Sequence, residues 1–197
     1  MTDNNYDFEN VKIALAMTGS FCTFDTTIVQ LKRLIELKAQ IIPVMSENAY
    51  STDTRFGIAA DFREQITELC GREIIHSIKG AEPIGPQRMA DVMLVAPCTG
   101  NTLAKLALSV TDGPVTMAVK SHIRNSRPVV LCIATNDALA GSAKNIGALL
   151  NNRNYYFVPF RQDDYKEKPT SLVADFDKIP ETIAKALQGK QIEPLFA

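Results

Sequence analysis

The 197-residue chain contains no tryptophan, has two histidines, and carries no excess of either charge, with 21 Lys+Arg against 22 Asp+Glu. That balance, together with the absence of any basic run, excludes the electrostatic footprint of a nucleic-acid binder. No apolar stretch approaches the ~20 residues needed to span a bilayer. Met1 to Asn10 is polar and acidic with no hydrophobic signal region, so a cytoplasmic protein without a membrane partner is expected. Two histidines with no Ser-His-Asp arrangement leave little room for a hydrolase triad. The four cysteines, Cys22, Cys70, Cys98 and Cys132, are widely separated and form no short-spaced ligand pair, so no metal site is expected. Neither Cys22 nor Cys98 has a nearby His in the sequence to generate a thiolate.

What the chain has is apolar runs rich in Val and Ile, alternating with helical patterns. The runs are Val11 to Met17, Ile41 to Ser46, Glu73 to Ile78, Asp91 to Cys98, Arg127 to Asn136 and Asn154 to Phe160. Continuous rather than alternating hydrophobicity predicts strands covered on both faces. Between and after the runs, residues 26–39, 55–70, 102–110, 115–124, 143–151 and 177–188 carry apolar side chains at helical spacing. Strand and helix repeated six times predicts an α/β fold: a single doubly wound, Rossmann-like parallel sheet of six strands with helices on both faces. With no linker or internal repeat, one domain is expected over residues 11–189, flanked by tails at 1–10 and 190–197.

In such sheets ligands bind beyond the carboxyl ends of the strands, near the point where strand order reverses. The loop after the first run, Thr18-Gly19-Ser20-Phe21-Cys22-Thr23, offers a glycine, hydroxyls and free helix-start amides for a phosphate-like anion. Hydroxyls also cap ordinary helices, and that plainer role has equal weight here. Cys98-Thr99-Gly100-Asn101-Thr102 holds more small and polar residues than one cap requires. Asn136 and Asp137 stand on the same rim, and Ser46 closes the second strand. No GxGxxG motif follows the first strand and no acidic residue ends the second, which argues against a dinucleotide in this chain.

TGS (Thr18–Ser20), PCTGNTLAK (Pro97–Lys105) and ATND (Ala134–Asp137) resemble the flavoprotein superfamily that includes FMN-dependent cysteine and phosphopantothenoylcysteine decarboxylases. GAEPIGP (Gly80–Pro86), TNDALAGSAKNIGALL (Thr135–Leu150) and KPTSLVADF (Lys168–Phe176) narrow the resemblance to the B chains of dipicolinate synthases of endospore-forming bacteria. The resemblance implies a sporulation protein in the mother-cell cytoplasm. There it would act with an A chain, which carries the nicotinamide cofactor, to oxidise dihydrodipicolinate to dipicolinate. It also implies an FMN pocket built from Thr18, Gly19, Ser20, Ser46, Thr99, Gly100, Asn101, Thr102 and Asn136, and a homo-oligomer, trimer or dodecamer. Independently of the resemblance, Val110 to Ala118, rich in Val, Thr and Met around Asp112-Gly113-Pro114, is a candidate subunit contact, the alternative being an ordinary loop in a monomer.

Two departures bear on the chemistry. The decarboxylases carry a catalytic His soon after the second strand, whereas this chain reads Glu47-Asn48-Ala49-Tyr50. They also carry Pro-Ala-Met-Asn after the fifth, whereas this chain reads Ile133-Ala134-Thr135-Asn136. Two other functions therefore stand beside the synthase role: a non-catalytic anion-binding module that stabilises the A chain, and an FMN-binding flavoprotein or decarboxylase in its own right. A small dicarboxylate substrate needs cations. Arg55, Lys105, Lys120, Arg124 and Arg127 are available, with Arg55 preferred for pairing a substrate carboxylate.

Overall fold

Residues 6–196 are described in a computed structural model. The first apolar run forms β1 (Lys12–Met17), five of whose six residues are buried. It is followed by α1 (Phe24–Glu36), whose Ile28, Leu31 and Leu34 face the core. Then come β2 (Gln40–Met45), α2 (Glu47–Ser51), α3 (Ala59–Cys70), α4 (Ile78–Ala81), β3 (Val92–Cys98), α5 (Gly100–Ala107) and α6 (Pro114–Ile123). The chain continues through β4 (Val129–Thr135), α7 (Ala143–Leu150), β5 (Tyr155–Phe157), β6 (Phe160–Arg161), β7 (Leu172–Ala174) and α8 (Ile179–Leu187). None of the described helices is long and apolar enough to cross a membrane.

Strands β2, β1, β3, β4 and β5 lie parallel in that order. Every residue of β3 is buried, as its unbroken hydrophobicity requires. β1 connects to β2 on one side, while β3 lies on the other side of β1, so the strand order reverses between β1 and β3. In sheets of this order right-handed crossovers carry helices to both faces. α1 and α8 pack on the central strands, and α5 packs with α6 and α7.

The sheet departs from the expected six parallel strands in two places. Glu73 to Ile78 forms no strand: only Ile75 pairs, with Val44, through Ile75 N–H to Pro43 O and Met45 N–H to Ile75 O, both 2.9 Å. Ser77 then caps α4 by accepting from Gly80 N–H at 3.1 Å, which turns the chain away. The run Asn154 to Phe160 splits at Pro159, which has no N–H to give a ladder. β5 continues the parallel sheet along Val129–Leu131, while Phe160 starts β6, which pairs antiparallel with β7. β7 in turn pairs antiparallel with Ala134 and Thr135 at the carboxyl end of β4. Seven strands result among the described residues, and the added antiparallel pair stands beside the crevice.

Candidate functional site

Three strand exits, those of β1, β2 and β3, and three helix starts, those of α2, α5 and α6, enclose a cleft of about 380 Å3. Each start is capped locally. Ser46 Oγ accepts from Ala49 N–H and Thr99 Oγ1 from Thr102 N–H, both at 3.3 Å, and Gly113 N–H donates to Thr116 Oγ1 at 3.2 Å. One cap satisfies only one of the free amides at a helix start, and the helix dipoles of α5 and α6 add partial positive charge at the same cleft. Thr18 is fully buried and holds the floor. Its hydroxyl donates to Pro97 O at 2.8 Å and accepts from Thr99 N–H at 3.1 Å, locking the β1 exit to the β3 exit.

A second cleft of about 350 Å3 meets the first at Gly19 and Thr99. Its walls are the β1 exit, the β4 exit and the segment leading into β7, with Ala134, Leu172 and Val173 as apolar surface. Asp137 marks its rim and is held there. The Thr135 hydroxyl, at 2.6 Å, holds the Asp137 carboxyl below its ordinary value; burial opposes this, and Ser142 at 2.9 Å adds to it. Gly100 is required beside this group, because a Cβ there would lie 2.6 Å from Asp137 Oδ1 and 2.7 Å from Ser142 Oγ.

Each cleft carries one cation, and each cation has a carboxylate partner. Lys105 Nζ lies 2.9 Å from Asp112 in the first, and Lys168 Nζ lies 3.3 Å from Asp163 in the second. Lys105 holds Asp112 below its ordinary value, chiefly by hydrogen bonding. Burial works against ionisation of Asp163, yet hydrogen bonds from its neighbours Ser171 and Lys168 also hold it low.

The structure brings Thr18, Gly19, Ser46, Thr99, Asn101 and Thr102 to the first cleft, and Gly19, Ser20, Thr99 and Asn136 to the second. Gly100 lies behind them, against Asp137. Arg55 lines neither cleft. It is exposed on the turn that Thr54 and Gly57 close, with its guanidinium 4.8 Å from the Phe56 ring centre. Arg127 is engaged by Asp91 at 3.2 Å and by the Ala90 carbonyl, Lys120 is exposed and reaches Thr111, and Arg124 is exposed. Asp112 to Thr116, from the segment expected at a subunit contact, line the first cleft. The Gly113-Pro114 pair at a helix start was the available signal for this. Asp163, Lys168 and Ser171 had no such signal, because only the β4–β7 pairing carries them to the crevice.

Among the described residues lining either cleft there is no imidazole. His76 stacks on Tyr50 with ring centres 4.0 Å apart. His122 is buried against the Pro128 carbonyl, and burial pushes it down to about 4. Burial pushes the Cys70 thiol up to about 11 and the Cys98 and Cys132 thiols higher, so these three are neutral thiols. Cys22 alone among the cysteines lines a cleft.

A parallel sheet ordered 2-1-3-4-5 with a polar crevice at the β1/β3 reversal defines a doubly wound α/β protein of the flavodoxin type. Residues 1–188 match the model of the Flavoprotein family, and the chain belongs to that family. It is 46% identical over 184 residues to the dipicolinate synthase B subunit of Bacillus subtilis, covering 93% of this chain and 92% of that protein. It superposes on the crystal structure of the dipicolinate synthase B subunit from Bacillus halodurans with a TM-score of 0.89 at 40% identity, covering 97% and 98% of the two chains. The fold is shared with the FMN-dependent cysteine decarboxylase SpaF (TM-score 0.69, 21% identity, 91% and 98% covered). It is also shared with Burkholderia xenovorans DmrB in complex with FMN, described as a cubic protein cage for redox transfer (0.67, 16%, 91% and 96%).

Proposed function

We propose that this chain is the B subunit of a dipicolinate synthase, acting with an A chain in the two-electron oxidation of dihydrodipicolinate to dipicolinate during sporulation. The observation that carries this reading is the near-whole-chain correspondence, in sequence and in fold, with dipicolinate synthase B subunits. The A chain would hold the nicotinamide cofactor, and the pair would work in the mother-cell cytoplasm. The cage formed by DmrB supports a homo-oligomer for the B chain as well.

The residues present fit FMN. The first cleft offers helix-start amides of α5 and α6, the Thr102 and Ser46 hydroxyls, the Asn101 amide and the Lys105 ammonium for a phosphate and a polyhydroxyl chain. The first cleft by itself, at about 380 Å3, lies within the size range of small-molecule pockets, and the second opens from it at Gly19 and Thr99. When bound, FMN supplies a two-electron acceptor. The protein's own part is to orient substrate against it and to keep the Thr18–Thr99 floor rigid. With no imidazole at either cleft, decarboxylase acid-base chemistry is not supported here.

The test has two arms. Purified B chain incubated with FMN and desalted is expected to be yellow, with flavin absorption bands. The A chain assayed with and without B is expected to oxidise dihydrodipicolinate only with B. Full activity of A alone overturns the catalytic reading in favour of a stabilising module, and a colourless B chain removes the flavin.

A further inference from the structure

The second cleft holds a cation that the fold places with unusual care. Lys168 sits in the segment between β6 and β7, and its backbone is fixed on both sides. Lys168 N–H donates to Asp164 O at 2.8 Å and Ser171 N–H to Lys168 O at 3.0 Å. The segment is stitched across its base by Gln162 Nε2, which donates to Pro169 O at 2.8 Å. It is tied to the β4 exit by Thr170, whose hydroxyl donates to Asn136 O at 2.6 Å and whose carbonyl accepts from Leu139 N–H at 2.9 Å. Beyond this anchored backbone the Lys168 side chain is half exposed, and among the described residues its ion-pair partner is Asp163 at 3.3 Å.

The surroundings restrict what this ammonium can bind. Among the described residues lining the second cleft, Lys168 is the sole cation. Among the described residues Asp137 makes no ion pair with Lys168; its Oδ1 accepts from Thr135 and Ser142 instead. Ala134, Leu172 and Val173 offer an apolar wall suited to one face of a flat ring, and Asn136 and Ser20 offer neutral polar groups. Asp163 is an ionised carboxylate from the protein itself at the place where an incoming carboxylate would pair.

We propose that Lys168 determines specificity for the carboxylate substrate: its ammonium exchanges Asp163 for one carboxylate of a planar ring dicarboxylate seated in the second cleft. This rests on the synthase reading above and assigns the substrate contact to a residue outside the phosphate-binding loops. Only an ion pair is exchanged, so no bond is made or broken and no further reactant is needed. A lysine half open to solvent and pre-set by a protein carboxylate loses little desolvation energy when the partner changes.

Steady-state kinetics of the assembled A and B pair with dihydrodipicolinate test this. Lys168→Ala in B is expected to raise KM at least tenfold while kcat changes less than threefold, and Lys168→Arg to bring KM back within about threefold of wild type. Asp163→Asn removes the competing carboxylate and is expected to lower KM two- to threefold. All three variants should take up FMN and melt as wild type does, since the sites changed are surface side chains.

A wild-type KM for Lys168→Ala overturns the proposal, as does a loss confined to kcat. An Asp163→Asn variant that behaves like Lys168→Ala overturns it too, because the pair would then serve only to brace the loop. If the oxidation proceeds equally well without B, the synthase reading fails and this contact fails with it. B-dependent turnover with an unmoved KM sinks the Lys168 role alone.

Discussion

Gly100 and Asp137 are in contact across the crevice floor so closely that a methyl group on the glycine would sit 2.6 Å from the carboxylate oxygen. The contact joins the start of α5 to the β4 exit, so the geometry of the two clefts depends on a side chain that is absent. Gly100→Ala must displace Asp137, Ser142 or Thr135 and break at least one of their hydrogen bonds. The expected cost is about 1–2 kcal/mol, partly offset by the better helix propensity of alanine. Urea unfolding would register a small change, whereas FMN uptake should weaken markedly. Unaltered FMN affinity would show that the crevice tolerates the shift.

Thr18 tests the floor directly. Thr18→Val keeps the shape but leaves the Thr99 N–H without its partner, for about 1–3 kcal/mol of lost stability. Thr18→Ser retains the hydroxyl and should recover most of it. Chemical denaturation of the three proteins at one pH makes the comparison.

His122 predicts an acid-side loss of stability. Its folded pKa is pushed down to about 4 from an ordinary 6.5 by burial, so between these values the unfolded chain binds a proton that the folded chain does not. Stability is therefore complete above about pH 6.5 and falls as pH drops toward 4, by roughly 3 kcal/mol at most. Asp112, Asp137 and Asp163, all held low, contribute stability that is lost only below the ordinary carboxylate range. His122→Leu should flatten the denaturation midpoint between pH 6.5 and 4; a slope equal to that of wild type would assign the loss elsewhere.

Gln191 closes the free edge of β5. Its side-chain amide mimics a neighbouring strand, accepting from Phe157 N–H at 2.8 Å and donating to Phe157 O at 2.7 Å. Gln191→Ala opens that edge and is expected to cost about 1–2 kcal/mol and to promote association through the exposed strand. Light scattering after mild heating would detect it.

How much of this was legible beforehand depends on the range of the interaction. β1, β2, β3 and β4 were readable because strands buried on both faces must be apolar throughout, and the phosphate-suited loops followed from where such strands end. Glu73 to Ile78 has the same composition but pairs at one residue, because Ser77 starts a helix within reach of it. Arg55 belongs to a polar stretch that reads like a site rim, yet the Thr54–Gly57 turn carries it away and onto Phe56. Lys168 opens one of the segments that carry the family resemblance, but nothing local marks Lys168 or Asp163 as facing the crevice: β6 and β7 span only two and three residues, too few for a periodic signal.

By itself, then, the sequence determined the layered α/β class, the glycine- and hydroxyl-bearing loops at the strand exits and the scarcity of histidine, since hydrophobic burial and turn chemistry act over a few residues. Only the tertiary structure decided which charges line the clefts. The Lys105–Asp112 and Lys168–Asp163 pairs, the Gly100–Asp137 contact and the antiparallel wall of the second cleft all depend on where distant segments meet, and no local pattern encodes that.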